Sequence, residues 1–325
     1  MTIANEKHER TTLLQLPNDS YQKRFFNFNF TIHWYWVKDS LLHKHLHMHF
    51  IKLSLLLFVT CLLSCRTLQV YKEPGKPNFY YNDKIPKNTY QADSLNVVTF
   101  NIKKAEKIQL ATSELQDVEK TRNIDIYLLQ EMDEKGVEAI ARDLGLNYLY
   151  IPIVYDESAK KNIGNAILTK GKIECPEKLI LPHSKWLSKS RRDVTIGEVN
   201  IHQKKILVYS VHTETMMMSR KNRMEQLDAI IKHARLQLPI YKYVLIGGDF
   251  NTLFTKDARL AVEKFNGGGF DWSTAMVGST ATAFFGLIKP RHDYFFSTGL
   301  KVINACKIES SRSSDHYPVF ASFCY

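Results

Sequence analysis

The chain is 325 residues long, 44% hydrophobic and 12% aromatic, enough apolar material for one large core and too much for a chain dominated by disorder. Its 44 Lys and Arg against 33 Asp and Glu leave a net +11, a surplus that suits an anionic partner without identifying one. No P-loop, GxGxxG, HExxH or CxxC pattern occurs, so nucleotide-driven, dehydrogenase, zincin and structural-zinc readings have no support in the motifs.

Along the chain, an aromatic run at Phe25–Trp36 and a histidine tract, His43, His45, His47 and His49, come first. We read the tract as fortuitous rather than metal-binding. Leu53–Leu63, LSLLLFVTCLL, is too short to span a bilayer core, which needs about 20 apolar residues in a helix, and has the length of a signal-peptide core. An uncleaved anchor or a buried apolar segment is the rival reading. Leu62-Leu63-Ser64-Cys65 follows and resembles a bacterial lipobox, which implies lipidation of Cys65 and a membrane-tethered envelope protein facing outside the cytoplasm. The expected division is therefore 1–47 as an extension with a mis-assigned start, Met48 being the natural one, and 48–64 as a lipoprotein signal peptide. A tether over 65–92, rich in Pro, Lys and Asn, would then lead to a catalytic domain over 93–325.

From Leu95 onward short β-rich runs alternate with helical periods, with no internal repeat. Strands are predicted at 95–102, 125–131, 163–170, 194–201, 205–212, 243–250, 293–298 and 317–323, the 194–212 pair as a hairpin. Helices are predicted at 106–122, 134–144, 219–237 and 256–265. In the third, Met224, Leu227, Ile231 and Ala234 share a core face, and Arg220, Arg223, Lys232 and Arg235 fall on faces read as solvated. Cys175, Cys306 and Cys324 are too few for a disulfide framework, though one pair is conceivable.

The polar residues that stand out sit at strand ends: Asn101, Glu131, His212, Asp249, Asn251, Asp293 and the pair Asp315-His316. Such groups are costly beside a core unless paired or bound to a ligand, and several at strand ends point to one shared edge. Taken singly, each has an ordinary role as a cap, a turn residue or a satisfied core group.

Taken in order, TFN (99–101), QE (130–131), GNAILTK (164–170), VH (211–212), GGDFN (247–251), HDY (292–294) and SDH (314–316) resemble the endonuclease/exonuclease/phosphatase superfamily, from about residue 95 to the C-terminus. The resemblance implies an α/β (α+β) fold, a four-layered α/β sandwich of two packed mixed β-sheets flanked by helices. It also implies a metal-dependent phosphoesterase, most simply a nuclease-like phosphodiester hydrolase. Asn101, Glu131 and Asp315 would hold Mg²⁺ or Mn²⁺, hard cations that prefer oxygen. Asp249 would be the general base, Asn251 would orient its water or a phosphate oxygen, His316 backed by Asp293 would donate to the phosphate, and His212 would add a second donor. Gly247-Gly248 would clear space for substrate. His292 departs from the aliphatic residue usual there and is read as packed or solvent-facing.

Substrate contacts are expected from Asn165, Arg191, Arg192 and Arg291, with Trp186 amid the basic residues of 183–193 suiting a nucleic-acid backbone or any phosphorylated group. The expected partner is a phosphate ester, DNA or RNA among the choices, met by a monomer. Rival readings are a phosphomonoesterase on sugar or inositol phosphates, a sphingomyelinase-like lipid phosphodiesterase, and a non-catalytic surface-binding lipoprotein.

Overall fold

The computed structural model describes residues 68–73, 76–83, 92–185, 188–283 and 286–325, with His49 and Lys52 before them. The chain divides into two units, Met1–Ser64 and Cys65–Tyr325, and everything below concerns the second. The expected extension, the signal peptide, Cys65 and Trp186 lie outside the described residues. Among the described residues, no helix is long and apolar enough to cross a membrane.

One sheet holds β1 (Leu68–Val70), β2 (Phe79–Tyr81), β3 (Ser94–Asn101), β4 (Ile126–Met132), β5 (Asn147–Asp156), β6 (Lys161–Thr169), β13 (Lys301–Lys307) and β14 (Val319–Cys324). The other holds β7 (Lys172–Ile180), β8 (Asp193–Ile201), β9 (Lys204–His212), β10 (Tyr243–Asp249), β11 (Asp271–Trp272) and β12 (Asp293–Thr298). Their orders are β1-β5-β6-β4-β3-β14-β13, with β2 also on β5, and β11-β12-β10-β9-β8-β7. Both sheets are mixed, and each has one parallel pair at its centre, β3 with β4 and β9 with β10. Parallel neighbours require a crossover, and α1 (Ile108–Arg122) and α3 (Arg220–Gln237) supply the two.

Strand alternation builds the layers. Val97, Ile126 and Leu128 pack with Val208, Leu245 and Phe295 between the sheets. Their neighbours Val98, Tyr127 and Leu129 face outward onto Leu115 and Val118 of α1 and Val137 and Ile140 of α2 (Glu134–Leu144). On the second sheet, Leu207, Tyr209, Val244 and Ile246 cover Leu227 and Ile230 of α3 and Phe265 of α4 (Thr255–Gly267). Strands buried on both faces read as unbroken apolar runs, and the result is the expected helix–sheet–sheet–helix sandwich.

Several expectations are corrected in detail. Two short strands from the stretch read as a tether lie on the edge of the first sheet, β1 on Val154–Asp156 and β2 on Tyr148–Tyr150. β5 and β7 escape the sequence pattern because each contains a proline, at a register shift in β5 and on the sheet edge in β7. The β8–β9 hairpin turns on His202 and Gln203, both at positive φ, as a two-residue primed turn requires. Arg223 is not solvated: it is buried and donates to the buried Asp257 of α4 at 2.7 Å. Cys175, Cys306 and Cys324 are all unpaired; Cys306 faces Phe320 across the ladder and Cys324 faces Lys301.

Gly247 and Gly248 serve packing. A Cβ on Gly247 would meet Phe295 at 2.4 Å and Leu128 at 2.8 Å, inside the inter-sheet core. One on Gly248, at φ +144°, would meet the Val211 carbonyl oxygen at 2.0 Å. The expectation that this pair makes room for substrate is therefore replaced by close strand–strand and sheet–sheet approach.

Candidate active site

The two parallel pairs end at the same edge of the sandwich. In register, Asn101 lies opposite Gln130, and Asp249 lies between His212 on one side and Asp293 on the other. Side chains at the carboxyl ends of such strands face the crevice where ligands bind in open α/β sheets.

Local chemistry fixes each one. Asn101 ends β3, and its Oδ1 accepts the Lys103 N–H at 3.0 Å, closing a turn whose residues Lys103, Lys104 and Ala105 all have positive φ. Glu131 sits at φ +57°, where the β4–β6 register shifts between Leu129 and Met132, so a bulge re-aims it. Asp133 then accepts the Gly136 N–H at 2.8 Å and starts α2. Ser314 ties the last loop to the first by donating to the Asn101 carbonyl at 2.7 Å.

Asp249 is the hub. It is buried and accepts from the Asn101 amide at 2.9 Å, from the Asn251 N–H at 2.8 Å and from the Asn251 amide at 3.3 Å. His212 Nε2 lies 3.6 Å and His316 Nε2 3.8 Å from its Oδ2. Burial works against its charge, but the surrounding imidazoles, the charged His316 foremost, and the hydrogen bond from the Asn101 amide outweigh it and hold the carboxyl below the ordinary carboxylate value. Asn251 is thus a positioning group: its amide also donates to the Thr213 carbonyl at 2.9 Å.

His316 Nδ1 and Asp293 Oδ2 are 3.0 Å apart, and Thr280 donates to the same oxygen at 2.7 Å. Burial opposes a charged ring, yet Asp293 and Asp249 together push His316 up to about 10. Burial also raises Asp293, so the two partners compete for one proton. It belongs on His316, because Asp249 faces the ring too and gains only when the ring is charged.

His212 behaves oppositely. Burial and then the Arg192 guanidinium, 3.2 Å from Nδ1, lower its pKa well below the ordinary histidine value. Arginine can only donate, so Nδ1 carries the lone pair and Nε2 the proton, facing Asp249 and, at 3.8 Å, Glu131. One charged and one neutral imidazole flank a single carboxylate.

The oxygen donors suit a hard divalent cation. Among the described residues, no side-chain hydrogen bond engages Glu131, whose Oε1 lies 3.8 Å from His212 Nε2. Asp315 is half-exposed with Lys103 4.0 Å away, and Asn101 keeps a second lone pair on Oδ1. Ligand-capable atoms of Asp249, Asp293 and His316 also lie within 4.8 Å of one another. A protonated His316 has no lone pair for a metal, so that trio reads better as an ion-paired network.

Beside Glu131 and His212 opens a cavity of about 130 Å³, with Asn165, Lys185, Arg191 and Arg192 in its walls. Asn165 donates to Asp193 at 2.9 Å and leaves its buried oxygen without a partner. Arg192 also approaches the buried Glu214 at 3.6 Å, as does Lys185 at 3.0 Å. Arg291 does not join them: it donates to the Gly278 carbonyl at 2.7 Å and lies over the Trp272 ring, bracing the loop before Asp293. His292 is buried and stacks on His316 at 5.5 Å, the packed rather than the solvent-facing one of its two expected placements. Thr280 and Glu214 were missed in sequence, because a threonine in STATAFF and a glutamate in HTET carry no motif signal.

Fold and site together define a four-layered sandwich with a cluster of carboxylates, amides and imidazoles at one edge. The chain belongs to the Endonuclease/Exonuclease/phosphatase family, which residues 98–316 match. Solved structures agree on the fold. TDP2 from Caenorhabditis elegans is 19% identical with a TM-score of 0.57, over 71% of this chain and 74% of that one. An endonuclease/exonuclease/phosphatase family protein from Bacteroides thetaiotaomicron is 19% identical with a TM-score of 0.57, over 73% and 99%. One from Leptotrichia buccalis is 18% identical at 0.57, over 71% and 100%. No curated protein matches the chain.

Proposed function

We propose that this chain is a phosphodiester hydrolase of nuclease-like chemistry, dependent on Mg²⁺ or Mn²⁺, that works as a monomer outside the cytoplasm, held to a bacterial membrane by a lipid on Cys65. The observation that carries the chemistry is the Asp249 carboxylate, buried and kept ionised between a charged and a neutral imidazole. Asn101, Glu131 and Asp315 would hold the cation, which when bound would acidify a water and neutralise phosphate charge. A carboxylate with so low a pKa is a weak base, which is why it needs that help. Asp249 takes the proton of the attacking water, oriented by its bonds to Asn101 and Asn251. His316 donates a charged hydrogen bond to the phosphate, and Asp293 keeps the proton on its ring. The Nε2–H of His212 offers a neutral donor, and Arg191 and Arg192 favour an anionic substrate.

The test is a panel of DNA, RNA, sphingomyelin, inositol phosphates and bis(p-nitrophenyl) phosphate, with Mg²⁺ and with chelator. Asp249→Ala is expected to lower kcat by about 10²–10⁴-fold. Release of inorganic phosphate alone would mean a monoesterase instead. Substrates left intact by the parent protein, with Asp249→Ala indistinguishable from it, would favour the non-catalytic binding reading.

A further inference from the structure

Asn165 on β6 and Asp193 at the start of β8 join the two sheets in the wall of the cavity that opens beside Glu131 and His212. Both side chains are buried. The Asn165 amide donates to Asp193 Oδ1 at 2.9 Å and to the Asp193 carbonyl at 3.1 Å, and Thr195 donates to the Asn165 carbonyl at 3.1 Å. These bonds fix the pair and leave one oxygen on each side chain, Asn165 Oδ1 and Asp193 Oδ2. Neither oxygen has a partner.

The cations nearest Asp193 do not supply one. Lys178 is buried, but its ammonium donates to the Tyr71 and Lys76 carbonyls at 3.4 Å and 2.8 Å. Arg192 is engaged with His212 and Glu214. Burial therefore pushes the Asp193 carboxyl up to about 7 although both cations draw it down. Two buried acceptors without a donor are costly, and in a cavity wall the donor that relieves them comes from what the cavity holds.

The rest of the lining narrows the kind of donor. Lys104, Lys185, Arg191 and Arg192 outnumber the three carboxyls in the same walls, which disfavours an ammonium. Ile153 and Ile163 add an apolar surface. A neutral O–H or N–H on an apolar stem meets both conditions.

We propose that Asn165 and Asp193 form a donor-reading subsite, which selects phosphate esters whose unreacting group carries a neutral hydroxyl or N–H. Glu131 and His212 line the same cavity, so a group seated there adjoins a phosphate held at the Asp249 edge. The selection among esters rests on the hydrolase reading above; the binding of a donor-bearing group does not. A site built around buried acceptors discriminates against the analogue that lacks the donor, because that analogue leaves them unpaired.

The experiment compares propyl, 3-hydroxypropyl and 3-ureidopropyl p-nitrophenyl phosphate on the full chain with Mg²⁺, the last two separating O–H from N–H donors. Both donor esters are expected to exceed the propyl ester at least about fivefold in kcat/KM, chiefly through a lower KM. Asn165→Leu removes one open oxygen, and Asp193→Asn exchanges the other for an NH₂ group. Each should bring the donor-to-propyl ratio to within about twofold of unity, whatever it does to the rate common to all three, with thermal melts recording the fold. Calorimetry with 3-hydroxypropyl phosphate and propyl phosphate, which needs no turnover, should show the same preference in the parent. Equal use and equal binding by the parent would mean that water alone fills the subsite and overturn the proposal, as would a preference that survives both variants. A parent that cleaves none of the esters, yet prefers 3-hydroxypropyl phosphate and loses that preference in Asp193→Asn, refutes the hydrolase reading and leaves the subsite standing.

Discussion

Asp293 and His316 form the most informative pair at the scale of single residues. The imidazolium is held by two carboxylates, so activity that needs its proton persists through neutral pH and is lost as pH rises past about 10. Replacing one carboxylate weakens that hold. In Asp293→Asn the alkaline limb of kcat/KM should therefore move to lower pH, with a loss of about 10²-fold at neutral pH. A pH profile with an unmoved alkaline limb would remove Asp293 from the role. His212 titrates in the other sense, since burial and Arg192 keep it neutral. Both imidazoles were legible in sequence as strand-end histidines; their opposite charge states were not, because they depend on burial and on Arg192 reaching Nδ1 of His212 beside the β8–β9 ladder, while Asp293 reaches His316 from another strand.

Among the elements, β10 does most to place the site, since it pairs with β9 on one side and β12 on the other and ends on Asp249. Its glycines permit that closeness. Gly248→Ala should destabilise the fold by about 3 kcal/mol or more, because its positive φ and the Val211 carbonyl leave no place for a methyl group. Gly267→Ala, at the end of α4 with nothing within 4 Å, should instead be neutral or stabilise by about 0.5–1 kcal/mol. Urea unfolding of both variants checks the contrast, and equal effects would contradict the packing role. The central strands and the four helices were readable because their apolar periods are long. β5 and β7 were not, since Pro152 and Pro176 lower local strand propensity and only their neighbours in the sheets override it.

For the molecule as a whole, Glu131 carries the test of the proposed metal dependence. Glu131→Gln should raise the Mg²⁺ concentration for half-maximal activity about 10–100-fold, with weaker Mg²⁺ binding by calorimetry to match. An unchanged titration would direct the search to the Asp249, Asp293 and His316 trio. Attachment is testable separately. Cys65→Ser should move the chain from the membrane fraction to the high-salt wash, and a variant that stays in the membrane would argue for an uncleaved anchor.

The sequence by itself determined the family, the layered architecture and most of the polar residues that gather in the candidate site, because those depend on hydrophobic period and on polar residues at strand ends, both local properties of the chain. Tertiary structure decided what those residues do to one another. Arg291 turned from the substrate to brace a loop, Arg223 turned inward to Asp257, and Thr280, silent in sequence, came to hold Asp293. Charge states and hydrogen-bond partners depend on groups brought within a few ångströms from distant parts of the chain, and local pattern carries no record of those distances.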